Sequence, residues 1–301
     1  MIFIKAMKSL VLLFALDFSL VQSGSDSESS HLFIGKYRIP SETKGPLNIE
    51  TSKVKKANDL SPIHFTAPIF ESTKVKNTGK AVEVFNTEVN SATTVTGGPL
   101  LKDVYKFYVT IFRLSGNSSG PAATTVDDVN GVPIEALALW YNLKYDSFEN
   151  SKHYRDGMAA ISFPVTVGPL PSLTFLPFAR KLEKIRESNS SVSAFLFEHF
   201  IWFDGYLLPP TPYYAYPGSY TDPETSKKYY CTTNIIFQPH INTISNEQFE
   251  KYIQSLKNSK GDRLTNPLQS QPQGDIPVIE AVGQIQVFIP FGKRLTDLSL
   301  L

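Results

Sequence analysis

The stretch Val104-Tyr105-Lys106-Phe107-Tyr108-Val109-Thr110-Ile111-Phe112-Arg113-Leu114 decides the fold. Strict alternation puts Tyr105, Phe107, Val109, Ile111 and Arg113 on one face and Lys106, Tyr108, Thr110, Phe112 and Leu114 on the other. Both sets are largely apolar, so the strand belongs in the middle of a sheet covered on both sides.

Working outward, residues 134–139, 159–165 and 229–237 repeat the strand pattern, separated by turn clusters with no fixed period. Two segments read as helices. In 174–188, Phe178, Leu182 and Ile185 recur at helical spacing with Arg180, Lys181, Glu183 and Lys184 outside. In 245–256, Ser245 and Gln248 form a capping-box pattern ahead of the apolar stripe Phe249, Ile253 and Leu256. Twenty-one prolines against seventeen glycines favour many turns over long helices. With 42% hydrophobic residues and only 19% charged, the chain has ample material for a core, which excludes a disordered protein. No linker divides its middle, so one domain is expected over 46–272, followed by a tail over 273–301. The tail strings 276–279 and 285–289 are apolar enough to form a strand or dock on the body. Prolines, Glu280, Lys293 and Arg294 interrupt them too often for a bilayer span.

The N-terminus reads as an export signal over 1–23. Lys5 and Lys8 precede the apolar run from Leu10, which ends at Ser23-Gly24-Ser25 and is too short to cross a membrane. A polar, Ser-rich lead-in follows over 24–45. The formal net charge is +1, and removing Lys5, Lys8 and Asp17 leaves basic and acidic residues equal. Nothing in that balance favours nucleic acid or an acidic membrane. Cys231 is the sole cysteine, so no intrachain disulfide can form, and its strand-like context suggests an inert buried thiol. Asn117-Ser118-Ser119 and Asn189-Ser190-Ser191 are glycan acceptor sequons in turn-rich segments.

Several strings then match one family in order and spacing. They begin with Gly97-Gly98-Pro99-Leu100, Thr125-Val126-Asp127 and Trp140-Tyr141-Asn142-Leu143-Lys144-Tyr145, and continue with Asp156-Gly157-Met158-Ala159 and Leu207-Leu208-Pro209. Tyr213-Tyr214-Ala215-Tyr216-Pro217-Gly218-Ser219-Tyr220-Thr221, Ser245-Asn246-Glu247-Gln248 and Asn266-Pro267-Leu268-Gln269 complete the series. The chain resembles the α-type carbonic anhydrases over 46–272. The resemblance implies a mainly β (α+β) fold: a large, mostly antiparallel twisted central sheet with short peripheral helices and a conical cavity. It also implies zinc held by three histidines, with a bound water made acidic enough to attack carbon dioxide.

Matched residue by residue, those ligands are missing. The central-strand pair falls on Ile111 and Arg113 and the third ligand on Leu137, and no histidine lies between His64 and His153. Hydrocarbon side chains have no lone pair to donate and a guanidinium has no acceptor, so no zinc cofactor is expected. Thr221 matches the threonine that holds the zinc hydroxide, but its orienting carboxylate is replaced by Ala123. Lys80 replaces the proton-shuttling histidine, and Ala160 and Asn234 match the carbon dioxide pocket wall and the tryptophan of the last core strand. Glu135 matches a carboxylate that orients a ligand histidine. With that histidine gone, Glu135 and Arg113 on neighbouring strands are expected to pair directly or through water. The alternative is that Arg113 reaches up the cavity while Glu135 bonds backbone groups.

This pattern resembles the acatalytic, carbonic anhydrase-related members of the family. The expectation is a secreted, extracellular protein without catalytic residues, acting as a binding or structural module for an unidentified carbohydrate or protein ligand. Basic clusters such as Lys53-Lys55-Lys56 and Arg180-Lys181-Lys184-Arg186 read either as solvated faces or as contacts for a sulphated polysaccharide. The alternative is an active carbonate dehydratase with an atypical metal site drawing on His64 or His199. A different hydrolytic reaction at Thr221 lacks a base beside the nucleophile.

Overall fold

The computed structural model describes residues 44–58, 60–67, 71–88, 91–128, 132–200, 211–237, 242–283 and 285–288. The expected signal, nearly all of the lead-in, the string at 207–209 and the last residues of the tail lie outside these. Along the chain run β1 (Leu47–Ile49), β2 (Lys55–Lys56), β3 (Ile63–Thr66), β4 (Ser72–Asn77), β5 (Val82–Asn86), β6 (Thr94–Gly97) and β7 (Tyr105–Leu114). There follow β8 (Thr125–Val126), β9 (Ile134–Asn142), α1 (Phe148–Ser151), β10 (Met158–Gly168), α2 (Leu176–Lys184), β11 (Ser191–Phe195) and α3 (Leu196–Phe200). The chain continues through β12 (Thr211–Thr221), β13 (Lys228–Phe237), β14 (Asn242–Ser245), α4 (Asn246–Gln248), β15 (Gln271–Pro272), β16 (Ile279–Gly283) and β17 (Ile285–Phe288).

Fourteen of these strands form one sheet whose main path is β11-β4-β5-β7-β9-β10-β13-β12-β16-β2, and β15, β1 and β8 form a small second sheet. The large sheet is mostly antiparallel, with parallel pairings where β10 meets β13 and β14, β16 meets β2, and β17 meets β3. As the alternation required, β7 is central, lying between β5 and β9.

One expectation for β7 fails. Its register with β9 shifts between Phe107 and Val109, so Tyr108 is an extra residue that inverts the alternation. Tyr105 and Phe107 therefore join Phe112 and Leu114 in the main core, while Val109 and Ile111 face the opposite side with Leu139, Met158 and Ala160. The five residues assigned to one face are split by this bulge. The tail's apolar strings form strands, one of the two outcomes their composition allowed: β16 pairs with β12 and β2, and β17 with β3, so the sheet runs past residue 272.

The main core lies between the sheet and the helices. Trp140 on β9 is fully buried against the rings of Phe65 and Phe107, and Phe112 stacks on Phe178 of α2 at 5.2 Å. The stripe Phe178, Leu182 and Ile185 is buried as its spacing dictated. The Ser245–Gln248 capping box forms, and α4 runs into a π-helical turn over Phe249–Ile253. Asn142 at the end of β9 donates to Asp103 Oδ2 at 2.8 Å and to the Asp156 carbonyl at 3.0 Å. Its own N–H donates to the Gly157 carbonyl at 2.7 Å. A Cβ on Gly157 would sit 1.7 Å from the Ser151 carbonyl oxygen. Gly157→Ala is accordingly expected to destabilise the fold by about 3 kcal/mol, read as a lowered denaturant midpoint.

Candidate functional site

The face of the sheet opposite the main core carries the site. Ile111 lies directly across from Leu137 and Arg113 across from Glu135, so the three positions matched to ligands are neighbours on β7 and β9. Ala160 and Ser162 on β10 sit opposite Leu139 and Leu137, and Asn234 on β13 lies beside Ala160. β12 closes the far side. Pro217 interrupts its register with β13, and a Cβ on Gly218 would approach Asn234 Nδ2 to 2.3 Å and Tyr216 Cε2 to 2.8 Å, so any larger residue there has to displace those side chains. Asn266 fixes the end of β7, accepting from Leu114 N–H at 2.7 Å and donating to the Phe112 carbonyl at 2.9 Å.

These elements enclose an inner cavity of about 30 Å³, lined by Arg113, Glu135, Leu137, Ala123, Ala160, Ser219, Thr221 and Asn234, among others. Arg113 is 3% exposed. Its Nη2 donates to the Thr221 carbonyl at 2.5 Å, and its Nε makes no hydrogen bond. Burial depresses its pKa below the ordinary value, opposed by Tyr220, Glu135, Asp222 and Glu83. Glu135, also 3% exposed, accepts from Thr124 N–H at 2.9 Å, from Ser162 Oγ at 2.8 Å and, at 3.4 Å, from Thr124 Oγ1. Burial pushes its carboxyl up, against these hydrogen bonds and the charge of Arg113.

The expected direct pairing of Arg113 with Glu135 therefore does not form. Antiparallel register sets the two residues opposite one another, but Thr124 and Ser162 satisfy the carboxylate while the guanidinium turns to β12. Both still line one cavity, together with the unpartnered Ser219 Oγ and Asn234 Oδ1. Sequence reasoning missed Thr124 and Ser162. Ser162, a lone hydroxyl in the apolar run 159–165, is the signal that would have found a buried polar partner.

An outer cavity of about 440 Å³ opens above Ile111 and Val109, bordered by α1, β5 and the turn after β12. Lys80 stands exposed near this mouth, where its Nζ donates to the Glu224 carbonyl at 2.8 Å and lies 3.6 Å from the Glu224 carboxylate. Asn117 and Asn189 are exposed in turns and line neither cavity.

The residues present do not fit zinc. Ile111 and Leu137 offer hydrocarbon, Arg113 brings a positive charge, and among the described residues no three His, Cys, Asp or Glu side chains gather to hold a metal. His199 is buried beside Thr110 Oγ1 at 3.0 Å, and burial lowers it to about 3, so it is neutral at physiological pH. His64, on β3, lines neither cavity. Cys231 is buried and free, its thiol pushed up to about 12 by desolvation, which leaves it unreactive at neutral pH. No helix among the described residues is long and apolar enough to cross a membrane.

A family model described as eukaryotic-type carbonic anhydrase matches residues 38–274. Among similar proteins, mouse (Mus musculus) carbonic anhydrase 7 is 27% identical over 224 residues, covering 73% of this chain and 80% of that protein. Human (Homo sapiens) carbonic anhydrase 7 is 27% identical over 241 residues, covering 79% and 87%.

Proposed function

Because the chain belongs to the eukaryotic-type carbonic anhydrase family, yet carries isoleucine, arginine and leucine where the resemblance calls for three zinc-binding histidines, we propose that it is an acatalytic member, exported and acting as a binding or structural module. The donor chemistry at Ile111, Arg113 and Leu137 carries this reading. A dication at that point would meet two hydrocarbon side chains and a buried guanidinium, and repulsion from the latter adds to the lack of ligands.

The rest of the reaction's apparatus is missing as well. Thr221 has no carboxylate at position 123 to orient its hydroxyl, since Ala123 has nothing to accept with. Lys80, in place of the histidine that the resemblance calls for as proton shuttle, is held against Glu224. The exported location rests on the N-terminal apolar run and on the two sequons, whose asparagines are exposed and so accessible to glycosylation. The ligand is expected to be an extracellular carbohydrate or protein.

Purified from a secreting cell line, the mature protein should contain well under one equivalent of zinc by elemental analysis. In stopped-flow assay it should hydrate carbon dioxide no faster than buffer. One equivalent of tightly held zinc together with a measurable hydration rate overturns the reading.

A further inference from the structure

The outer cavity has a composition that the family's reaction does not call for. Its lining holds five carboxylates, Glu83, Glu88, Glu149, Asp222 and Glu224, against two lysines, Lys106 and Lys152, which makes it an anionic pocket on a chain of nearly zero net charge. Its floor is apolar, from Val109 and Ile111, and Glu83 on β5 stands directly across from Ile111. Aromatic rings complete it from two sides. Tyr108, placed by the β7 bulge, stacks on Phe148 of α1 with ring centroids 3.8 Å apart, and Tyr220 lies near-parallel to Tyr229 at 6.2 Å.

From these walls we infer that the outer cavity binds a small organic cation, an alkylammonium group held between the two aromatic pairs and neutralised by Glu83 and Asp222. This rests on the binding-module reading and supplies its ligand class. The structure contains an internal precedent for the contact. The Lys152 ammonium lies 5.4 Å over the Tyr229 ring at the wall of this cavity and pairs with Glu149, so a carboxylate and a ring already share one cation there.

Other charges bear on the site and do not cancel it. Lys80 pairs with Glu224, and Lys76 lies across the strand from Glu83 without forming an ion pair with it. Glu83 and Asp222 make no ion pair among the described residues, and Asp222 accepts from Glu224 N–H, Thr225 N–H and Thr225 Oγ1. The field in the cavity is negative at two separate probes. Glu83 is raised by burial and then by Glu224, whose push outweighs the pull of Lys76. Tyr108, on another strand, is raised by burial and then by Glu149 and Glu83. An anion is disfavoured here, whereas a cation with an apolar body satisfies floor, walls and charge together.

The test is calorimetric titration of the full mature protein at low salt with choline and with its neutral carbon isostere 3,3-dimethylbutan-1-ol. Choline should bind at least about ten-fold more tightly than the isostere. Glu83→Gln should weaken choline by roughly three- to ten-fold, and Phe148→Leu by about three-fold, with unchanged melting temperatures. A parallel arm with N-acetyl-lysine amide and its ε-acetylated form separates a free amine from a lysine side chain as the source. Binding of the charged form alone assigns a peptide-borne cation, and binding of choline alone assigns a free one. Equal affinity of each cation and its neutral counterpart, binding of neither cation, or cation binding insensitive to both substitutions overturns the inference. Zinc content and hydration rate measured on the same sample keep that failure distinct from failure of the acatalytic reading.

Discussion

Ile111→His, Arg113→His and Leu137→His introduced together are expected to create a site that binds zinc with a Kd of roughly 50 nM, about 10 kcal/mol. The backbone already has the geometry this needs. Residues 111 and 137 face each other across β7 and β9, and residue 113 follows on the same side, so three imidazoles would converge above one point of the sheet. Removing Arg113 also removes the guanidinium charge and frees space in the inner cavity. Glu135 would have to exchange part of its bonding to Ser162 and Thr124 for an imidazole N–H, which limits the affinity. Hydration of carbon dioxide should stay slow, because Ala123 offers no carboxylate to orient Thr221 and Lys80 stands where the resemblance calls for a proton-shuttling histidine. Titration against a competing chelator, with a cobalt-substituted spectrum for geometry, measures the gain. A folded triple variant that takes up no metal would show that the strands have closed around the lost site.

The fold was largely legible because it is written in local signals. Two-sided apolar alternation made β7 central, helical spacing buried Phe178, Leu182 and Ile185, and Ser245 with Gln248 built the cap. The bulge at Tyr108 was not legible, since an extra residue changes which face each side chain takes without changing composition. It matters for function, because Tyr108 thereby reaches the outer cavity and stacks on Phe148. The tail's apolar strings were legible as strand-forming, but their pairing was not. Their partners, β12, β2 and β3, lie far away in sequence, and no local pattern announces a pairing across such distance. At the site, matched positions located the missing ligands and the residues opposite them. Where Arg113 and Glu135 would send their hydrogen bonds depended on Thr124, Ser162 and the Thr221 carbonyl, partners on one loop and two other strands that no spacing encodes.

Arg113→Met is expected to cost about 3–5 kcal/mol at pH 7.5, because it leaves Glu135 as a buried charge without a compensating cation. The two do not touch, but each lies in the other's field, Arg113 lowering the carboxyl and Glu135 raising the guanidinium. Glu135 is already raised above its unfolded value by burial. Its protonation therefore contributes stability that is fully present below the unfolded carboxylate pKa, about 4.3, and is lost as pH rises through the folded value. Without Arg113 that folded value moves higher still, so protonation of Glu135 becomes easier and the penalty of Arg113→Met should be smaller at pH 5 than at pH 7.5. Glu135→Gln in the Arg113→Met background should recover more than about 1 kcal/mol, because two neutral side chains replace an unbalanced charge. Denaturant unfolding of the four proteins of this cycle at both pH values measures the coupling. Additivity within about 0.5 kcal/mol at both would mean that the buried guanidinium and carboxylate are sustained separately, by Thr221 on one side and by Thr124 and Ser162 on the other. Coupling that fades toward acid would identify Arg113 as the charge that stabilises this sheet where the family holds a metal.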